Sequence, residues 1–215
     1  IEREKMIKNK NLVYGLIVLA GILVAYIPTQ DKVPERIQKE KITENHQVAN
    51  RGESRVSIQP GYTQIGTIQA NIPQNWLRET PSSNMRIAQF RLPKVNGGSE
   101  DGLIAVFAGI GGGIEGNIKR WLGQFKRPDG KPMSEFATIT KETVGHFNVT
   151  FVSAEGTLLA SSMGDAGGEK RGYYLIAAIV ETHSDPYFFK GTGPLLTMKG
   201  YEESFKKFIR SILEL

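Results

Sequence analysis

The stretch Tyr173–Thr182, YYLIAAIVET, decides the fold class of the C-terminal part of this 215-residue chain. Apolar residues occupy both alternating sets of its positions, which is typical of a strand buried on both faces. The turn Ser184-Asp185-Pro186 follows, and Tyr187–Lys190, YFFK, provides a second apolar strand. The sequence therefore predicts a long central strand with its neighbour beside it.

Further strands are predicted on the N-terminal side of this pair. Met85–Leu92, MRIAQFRL, alternates, and the set containing Ala88 and Phe90 is mostly apolar, so that set faces a core. Leu103–Ala108, LIAVFA, is apolar throughout and predicts another central strand. The remaining predicted strands are Val56–Gln59, Gly66–Asn71, Phe136–Thr143 and Phe147–Ala154, the last two joined as a hairpin at Val144-Gly145-His146.

Two amphipathic helices are predicted, over Ile114–Phe125 and Leu196–Leu213, because their apolar residues recur at helical spacing. Strands that arrive mostly in hairpins, combined with two helices, indicate an α+β fold: a largely antiparallel sheet with helices packed on it. Trp121 lies on the apolar stripe of the first helix and is expected in the core. Arg120 lies on the neighbouring face and is a candidate contact to a partner, since arginine often anchors interfaces.

Distinctive sequence words run along residues 66–213. In the C-terminal third they are Tyr173-Tyr174-Leu175, the segment YFFKGTGP from Tyr187 to Pro194, and FKKFIRSI from Phe205 to Ile212. This third resembles the ending of PsbP/Mog1-type α/β/α sandwich domains, in which a strand leads to a Lys-x-x-Gly-Pro turn and a final helix. The middle, with Trp76, Pro81–Pro93 and Gly111–Phe125, is similar to a group of uncharacterised bacterial exported domains. PsbP-type proteins are extrinsic accessory subunits of photosynthetic complexes, so the resemblance implies a sandwich fold and an accessory role.

The N-terminal part contains a candidate membrane span. Leu12–Ile27, LVYGLIVLAGILVAYI, has no charged residue, and with Asn11 and Pro28 at its ends it approaches the roughly 20 residues that cross a bilayer. A cleaved signal peptide is less consistent with the sequence, because Tyr26-Ile27-Pro28 offers no small-residue cleavage site. A buried helix of a soluble protein is the other alternative, but the polar residues that follow offer nothing to bury it.

The predicted organisation has four parts. Residues 1–11 are a short basic segment, 12–28 a transmembrane helix, 29–55 a polar linker, and 56–215 an extracytoplasmic α/β sandwich domain. Four Lys/Arg residues precede the span and four follow it within 15 residues, so the positive-inside count is tied. A short basic start before one apolar run is the form of a signal anchor, which favours a bacterial inner-membrane protein with its large domain in the periplasm.

The linker is polar and carries five acids and six lysines or arginines. Val33, Ile37 and Ile42 are too few apolar residues to order it alone. Such a segment suits polar contacts with a neighbouring protein, and Arg36 and Lys39 are candidate contacts.

The segment Gly111–Gly116, GGGIEG, matches the pattern G-x-G-x-x-G through Gly111, Gly113 and Gly116. It follows a predicted strand and opens a helix, which is the context of a dinucleotide-binding turn. Glu115, however, places a carboxylate where the pyrophosphate would lie. A tight strand-to-helix turn is the competing interpretation, with Glu115 favourable at the helix start.

Other chemistry is sparse. The chain has no cysteine, which excludes disulfides, thiolate metal sites and cysteine nucleophiles. His146 and His183 each lie beside a predicted turn, and neither has a ligand at the spacing of a helical zinc motif, so no metal site is predicted.

Charge argues against a nucleic-acid partner. The net charge is +5, but beyond the N-terminal segment 23 basic residues face 20 acidic ones, so no basic stripe is expected.

The sequence thus predicts a non-enzymatic, membrane-anchored accessory subunit of a larger membrane complex, without a cofactor. The alternative is a small-ligand-binding, nucleotide-binding or enzymatic domain that uses the glycine-rich loop at residues 109–116.

Overall fold

The computed structural model of the protein describes residues 57–160 and 168–215. Within these ranges the chain forms two α-helices, α1 (Gly113–Leu122) and α2 (Leu195–Arg210), and a short 3-10 helix over Met133–Glu135. The strands are β1 (Thr63–Ile65), β2 (Ile68–Ala70), β3 (Leu77–Glu79), β4 (Ala88–Leu92), β5 (Gly102–Ala108), β6 (Phe125–Lys126), β7 (Thr138–Val144), β8 (Phe147–Leu158), β9 (Lys170–Glu181), β10 (Tyr187–Pro194) and β11 (Leu213–Glu214).

Eight of the strands form one sheet in the order β3-β4-β5-β10-β9-β8-β6, with β7 also paired to β8. All of its pairings are antiparallel. The predicted strands of the opening stretch, β9 and β10, lie side by side at its centre, with Tyr187 opposite Val180. This confirms the α+β class and the largely antiparallel sheet.

The two helices cover opposite faces of this sheet. On β9, Tyr174, Ile176, Ala178 and Val180 belong to the core under α2, and Tyr173, Leu175, Ala177 and Ile179 belong to the core under α1. Buried Phe205 and Phe208 of α2 fill the first core, and buried Trp121 of α1 packs edge-on against Phe188 in the second. Because both faces are covered, β9 is apolar at consecutive positions.

A smaller sheet, in the order β1-β2-β11, brings the start and the end of the described domain together. The Tyr187 hydroxyl accepts a hydrogen bond from the backbone N–H of Thr67 at 2.7 Å, which ties this sheet to β10. Gly66 has a φ of 63°, and a Cβ there would lie 2.5 Å from that hydroxyl, so this turn requires glycine.

Several predicted element bounds are wrong. Residues 57–59 form no strand, and Met85–Ile87 and Phe136–Ala137 precede β4 and β7. The first helix ends at Leu122, because Gly123 caps it and Phe125 pairs with β8. The second ends at Arg210, because Leu213 pairs with β2. The hairpin at Gly145 is confirmed, with Val144 opposite Phe147.

Neither helix in the described ranges is long and apolar enough to cross a membrane. The predicted span at 12–28 and the linker at 29–55 lie outside these ranges.

Candidate functional site

A cavity of about 800 Å³ lies along α1, between the helix, β6, the loop that carries the 3-10 helix, and β7. This size is within the range of about 300–1,000 Å³ that is typical of small-molecule sites. The cavity is on the α1 face of the molecule, where the helix covers only part of the sheet.

The floor of the cavity depends on a close approach between β6, the 3-10 helix and β8. A Cβ at Gly156 of β8 would lie 2.8 Å from the Lys126 carbonyl oxygen and 2.7 Å from the Met133 side chain. Glycine at this position therefore lets buried Phe125 and Met133 settle against the sheet.

The loop between β6 and the 3-10 helix is fixed by one arginine. The Arg127 guanidinium donates to both carboxylate oxygens of Asp129 at 2.9 Å and lies 3.2 Å from the ring centre of Phe136. This bidentate bond and the stacking hold the outer wall of the cavity in place. The Arg127 contact also lowers the pKa of the Asp129 carboxyl below its usual value.

Most of the inner lining is apolar. Ile114, Ile118 and Leu122 project from successive turns of α1, and Phe125, Met133 and Ile139 complete the surface. Ile139 is 44% exposed, so an apolar side chain faces the opening. Such a surface gains free energy when an apolar molecule removes it from water.

The rim is basic. Its charged lining residues are Lys119, Lys126, Arg127, Lys131 and Lys141 against the single acid Glu115. Arg127 is paired with Asp129, and Lys126 with Glu169. Among residues 57–160 and 168–215, no carboxylate lies within ion-pair distance of Lys119, Lys131 or Lys141. The rim therefore carries an excess of positive charge.

The glycine-rich loop adjoins the cavity but is built as a turn. Asn117 donates to the carbonyls of Gly111 and Gly113, and Arg120 donates to the Gly111 carbonyl at 3.1 Å and to Asn117 Oδ1 at 2.8 Å. A Cβ at Gly111, Gly113 or Gly116 would meet no atom within 4 Å. The neighbouring strands of β5 are antiparallel, whereas a dinucleotide fingerprint joins parallel strands.

A largely buried lysine lies under the C-terminal end of α1. Lys190 of β10 projects between Ala105 and Ala177 of the adjacent strands and donates to the Gln124 side-chain oxygen. Burial, and then the charges of Arg86 and Arg120, lower its pKa to about 8. The sequence alone gives no sign of this lowered pKa, because the groups that cause it come close to Lys190 only in the folded protein.

The structure brings together the two histidines that the sequence left apart. His146 and His183 both lie beside Glu214 of β11 at one end of the sheet. Their sequence separation concealed this cluster.

Trp121 is in the core, as predicted, at 3% exposure. Arg36 and Lys39 lie outside the described residues.

Comparisons with known proteins identify no family for this chain. No family model matches it, and no curated protein matches it. A protein of unknown function from Pseudomonas aeruginosa, called a putative regulator, is similar in structure, with a TM-score of 0.41 and 11% identity over 72% of this chain and 96% of its own.

A Bacteroides thetaiotaomicron protein is similar with a TM-score of 0.40 and 16% identity, over 73% of this chain and 49% of its own. Likeness at this level carries no argument about function.

Proposed function

We propose that the described domain is a non-catalytic binding module that holds an elongated apolar molecule ending in a carboxylate. The observation that carries this proposal is the cavity along α1, which combines an apolar interior with a basic rim. An apolar interior alone would take any hydrophobic molecule, and basic residues alone would take any anion. Their combination selects molecules with both properties, of which a fatty acid is the simplest.

The energetics of the cavity support this ligand class. Each methylene removed from water contributes about 0.8 kcal/mol, so affinity should increase about fourfold per added carbon while the chain stays inside. The carboxylate would lie at the rim near Lys119, Lys131 and Lys141, where its charge stays partly hydrated. The described cavity lining contains no histidine, and its polar groups are mainly lysines, which favours binding over catalysis.

The sequence also supports a proposal about where this module is located and which proteins it contacts. The helices on opposite sheet faces support a PsbP-like α/β/α sandwich. We further propose that residues 12–28 anchor it in the bacterial inner membrane, and that the linker at 29–55 docks it on a membrane complex as an accessory subunit. In this arrangement Arg120 and the linker residues Arg36 and Lys39 contact a partner. The cavity would then hold its ligand close to that partner.

Photolabelling tests the binding proposal. The full chain in zwitterionic lipid nanodiscs is irradiated with a diazirine-bearing palmitic acid, and labelled peptides are mapped by mass spectrometry. We expect labels within residues 114–122 and 133–141, removed by excess palmitate but not by its methyl ester. Labelling spread evenly over the domain would contradict the proposal.

Matched variants sharpen this test. Ile139→Glu and Lys131→Glu should each weaken labelling, the first by placing a charge on the apolar lining at the opening and the second by replacing a cation of the rim with an anion. The controls are Leu196→Glu, an aliphatic residue 53% exposed on α2, and Lys207→Glu, an exposed cation on the same helix. If the controls reduce labelling as much as the cavity variants do, the ligand is held elsewhere.

A further inference from the structure

A cluster of two histidines and a glutamate lies at the end of the sheet where the β7–β8 hairpin turns. The ligand atoms of His146, His183 and Glu214 all lie within 4.8 Å of one another. None of these residues lines the cavity along α1. The cluster is therefore a separate feature from the proposed ligand-binding cavity.

The sheet register explains why the two histidines meet. Asn148 of β8 is opposite Glu181 of β9. His146 is two residues before Asn148, and His183 is two residues after Glu181, so continuing the antiparallel register places them face to face. Their ring centres are 5.2 Å apart.

The third member arrives from the far end of the chain. Glu214 lies on β11, which pairs with Ile68 of β2. Its Oε2 atom lies 2.6 Å from His183 Nδ1 and 3.6 Å from His146 Nε2, and its Oε1 accepts from the backbone N–H of His183 at 3.3 Å. One carboxylate oxygen thus faces a ring nitrogen of each histidine.

We propose that His146, His183 and Glu214 form a binding site for a divalent transition-metal ion of the Zn²⁺ class. Two imidazoles and one carboxylate are ligands that zinc accepts, and three protein ligands leave a fourth position for water or another group. Tetrahedral zinc with bonds near 2.0 Å separates its ligand atoms by about 3.3 Å. The two contacts at 2.6 and 3.6 Å lie on either side of that value.

The surroundings of the cluster suit an ion that exchanges with solvent. The His146 and His183 side chains are 55% and 76% exposed, so water reaches the open position. Glu214 is more buried, at 24%, and its backbone is held in the small sheet. The carboxylate is therefore the most constrained of the three ligands, and the two exposed imidazoles have room to rotate toward the ion. Binding would join the hairpin, the end of β9 and the C-terminal strand.

The competing interpretation is a hydrogen-bond clamp without an ion, and a Zn²⁺ titration separates the two. Isothermal titration calorimetry of the full chain in zwitterionic nanodiscs should show one equivalent bound. His183→Ala and Glu214→Gln should weaken binding roughly tenfold or more, since even an outer partner of a metal ligand is worth that much. The chain contains three histidines, and His46 in the linker gives the matched control: His46→Ala should leave the affinity unchanged.

A second measurement needs no variant in the cluster. Long-range ¹H–¹⁵N spectra of the wild-type histidine rings should show two rings shifting together up to one equivalent of Zn²⁺, with the third, assigned through His46→Ala, unmoved. Absence of any wild-type binding overturns the proposal. Equal weakening by His46→Ala and His183→Ala also overturns it, because that result is expected for adventitious binding to surface imidazoles.

Discussion

Lys190 shows how position changes the chemistry of a single residue. Its ammonium group is largely buried between two alanines and near two arginines, and its one described hydrogen bond is to a neutral amide. Burial and these like charges lower its pKa from 10.5 to about 8. The charged form is therefore less stable in the folded protein than in the unfolded chain.

This shift predicts how stability depends on pH. Between pH 8 and 10.5 the unfolded chain holds a proton on Lys190 that the folded protein has lost, so the free energy of unfolding rises with pH. From pH 7 to 9.5 the contribution of Lys190 is about 2 kcal/mol. Lys190→Met should remove this rise and stabilise the domain at pH 7.

Urea denaturation followed by tryptophan fluorescence measures the effect, because both tryptophans, Trp76 and Trp121, lie in the described domain. The exposed Lys207 provides the control, and Lys207→Met should leave the pH profile of the wild type intact. A Lys190→Met profile parallel to that of the wild type would show that Lys190 is not the titrating group.

At the scale of elements, two glycines, one in a helix and one in a strand, differ in the space around them. Gly116 lies in α1, and a Cβ there would meet nothing within 4 Å. Gly193 lies in β10, where a Cβ would be 2.8 Å from the backbone of Gly102 and 3.0 Å from Met198 Sδ. Gly116 can therefore be replaced by alanine without a clash. Gly193, in contrast, leaves the space that α2 needs to pack closely on the sheet.

Opposite effects of alanine are therefore expected at the two positions. Gly116→Ala should raise the free energy of unfolding by about 0.5–1 kcal/mol through helix propensity. Gly193→Ala should lower it by about 1–3 kcal/mol through overpacking. The same fluorescence measurement checks both. A destabilising Gly116→Ala would mean that this position of α1 needs glycine for a reason other than helix propensity.

The sequence predicted which helices and strands form better than it predicted where they end or which distant residues they bring together. β5, β9 and β10 were predictable because long apolar runs report burial on both faces. The ends of α1 and α2 were not, because Phe125 and Leu213 have the spacing of helical core residues but pair with distant strands. The histidine cluster depends on the β8–β9 register, and the cavity on the approach at Gly156. No local pattern encodes either. The five Lys/Arg residues between 119 and 131 were a usable sign of a locally basic surface, which the near-neutral charge of the whole domain concealed.

At the scale of the whole molecule, the sequence predicts a membrane anchor at Leu12–Ile27. Carbonate washing of membranes should leave the protein in the pellet. Leu19→Arg should weaken this retention, because an arginine at the centre of a span costs about 2.5–3.5 kcal/mol on insertion scales. The control Leu196→Arg changes an exposed residue of the domain and should not. Release of the wild type by carbonate, or a mature N-terminus beyond residue 28, would contradict the anchor.

The pairing of β11 with β2 also constrains how the protein is made. Leu213 lies opposite Gln69, so β2 can pair with β1 early but gains its second partner, β11, only when nearly the last described residue has left the ribosome. The face of the sheet that holds Phe90 and Ile104 is likewise uncovered until α2 has been synthesised. We therefore expect the nascent chain to complete its fold late and as one unit. Late folding is compatible with the export proposed above, because a protein-conducting channel accepts an extended chain and rejects a folded one.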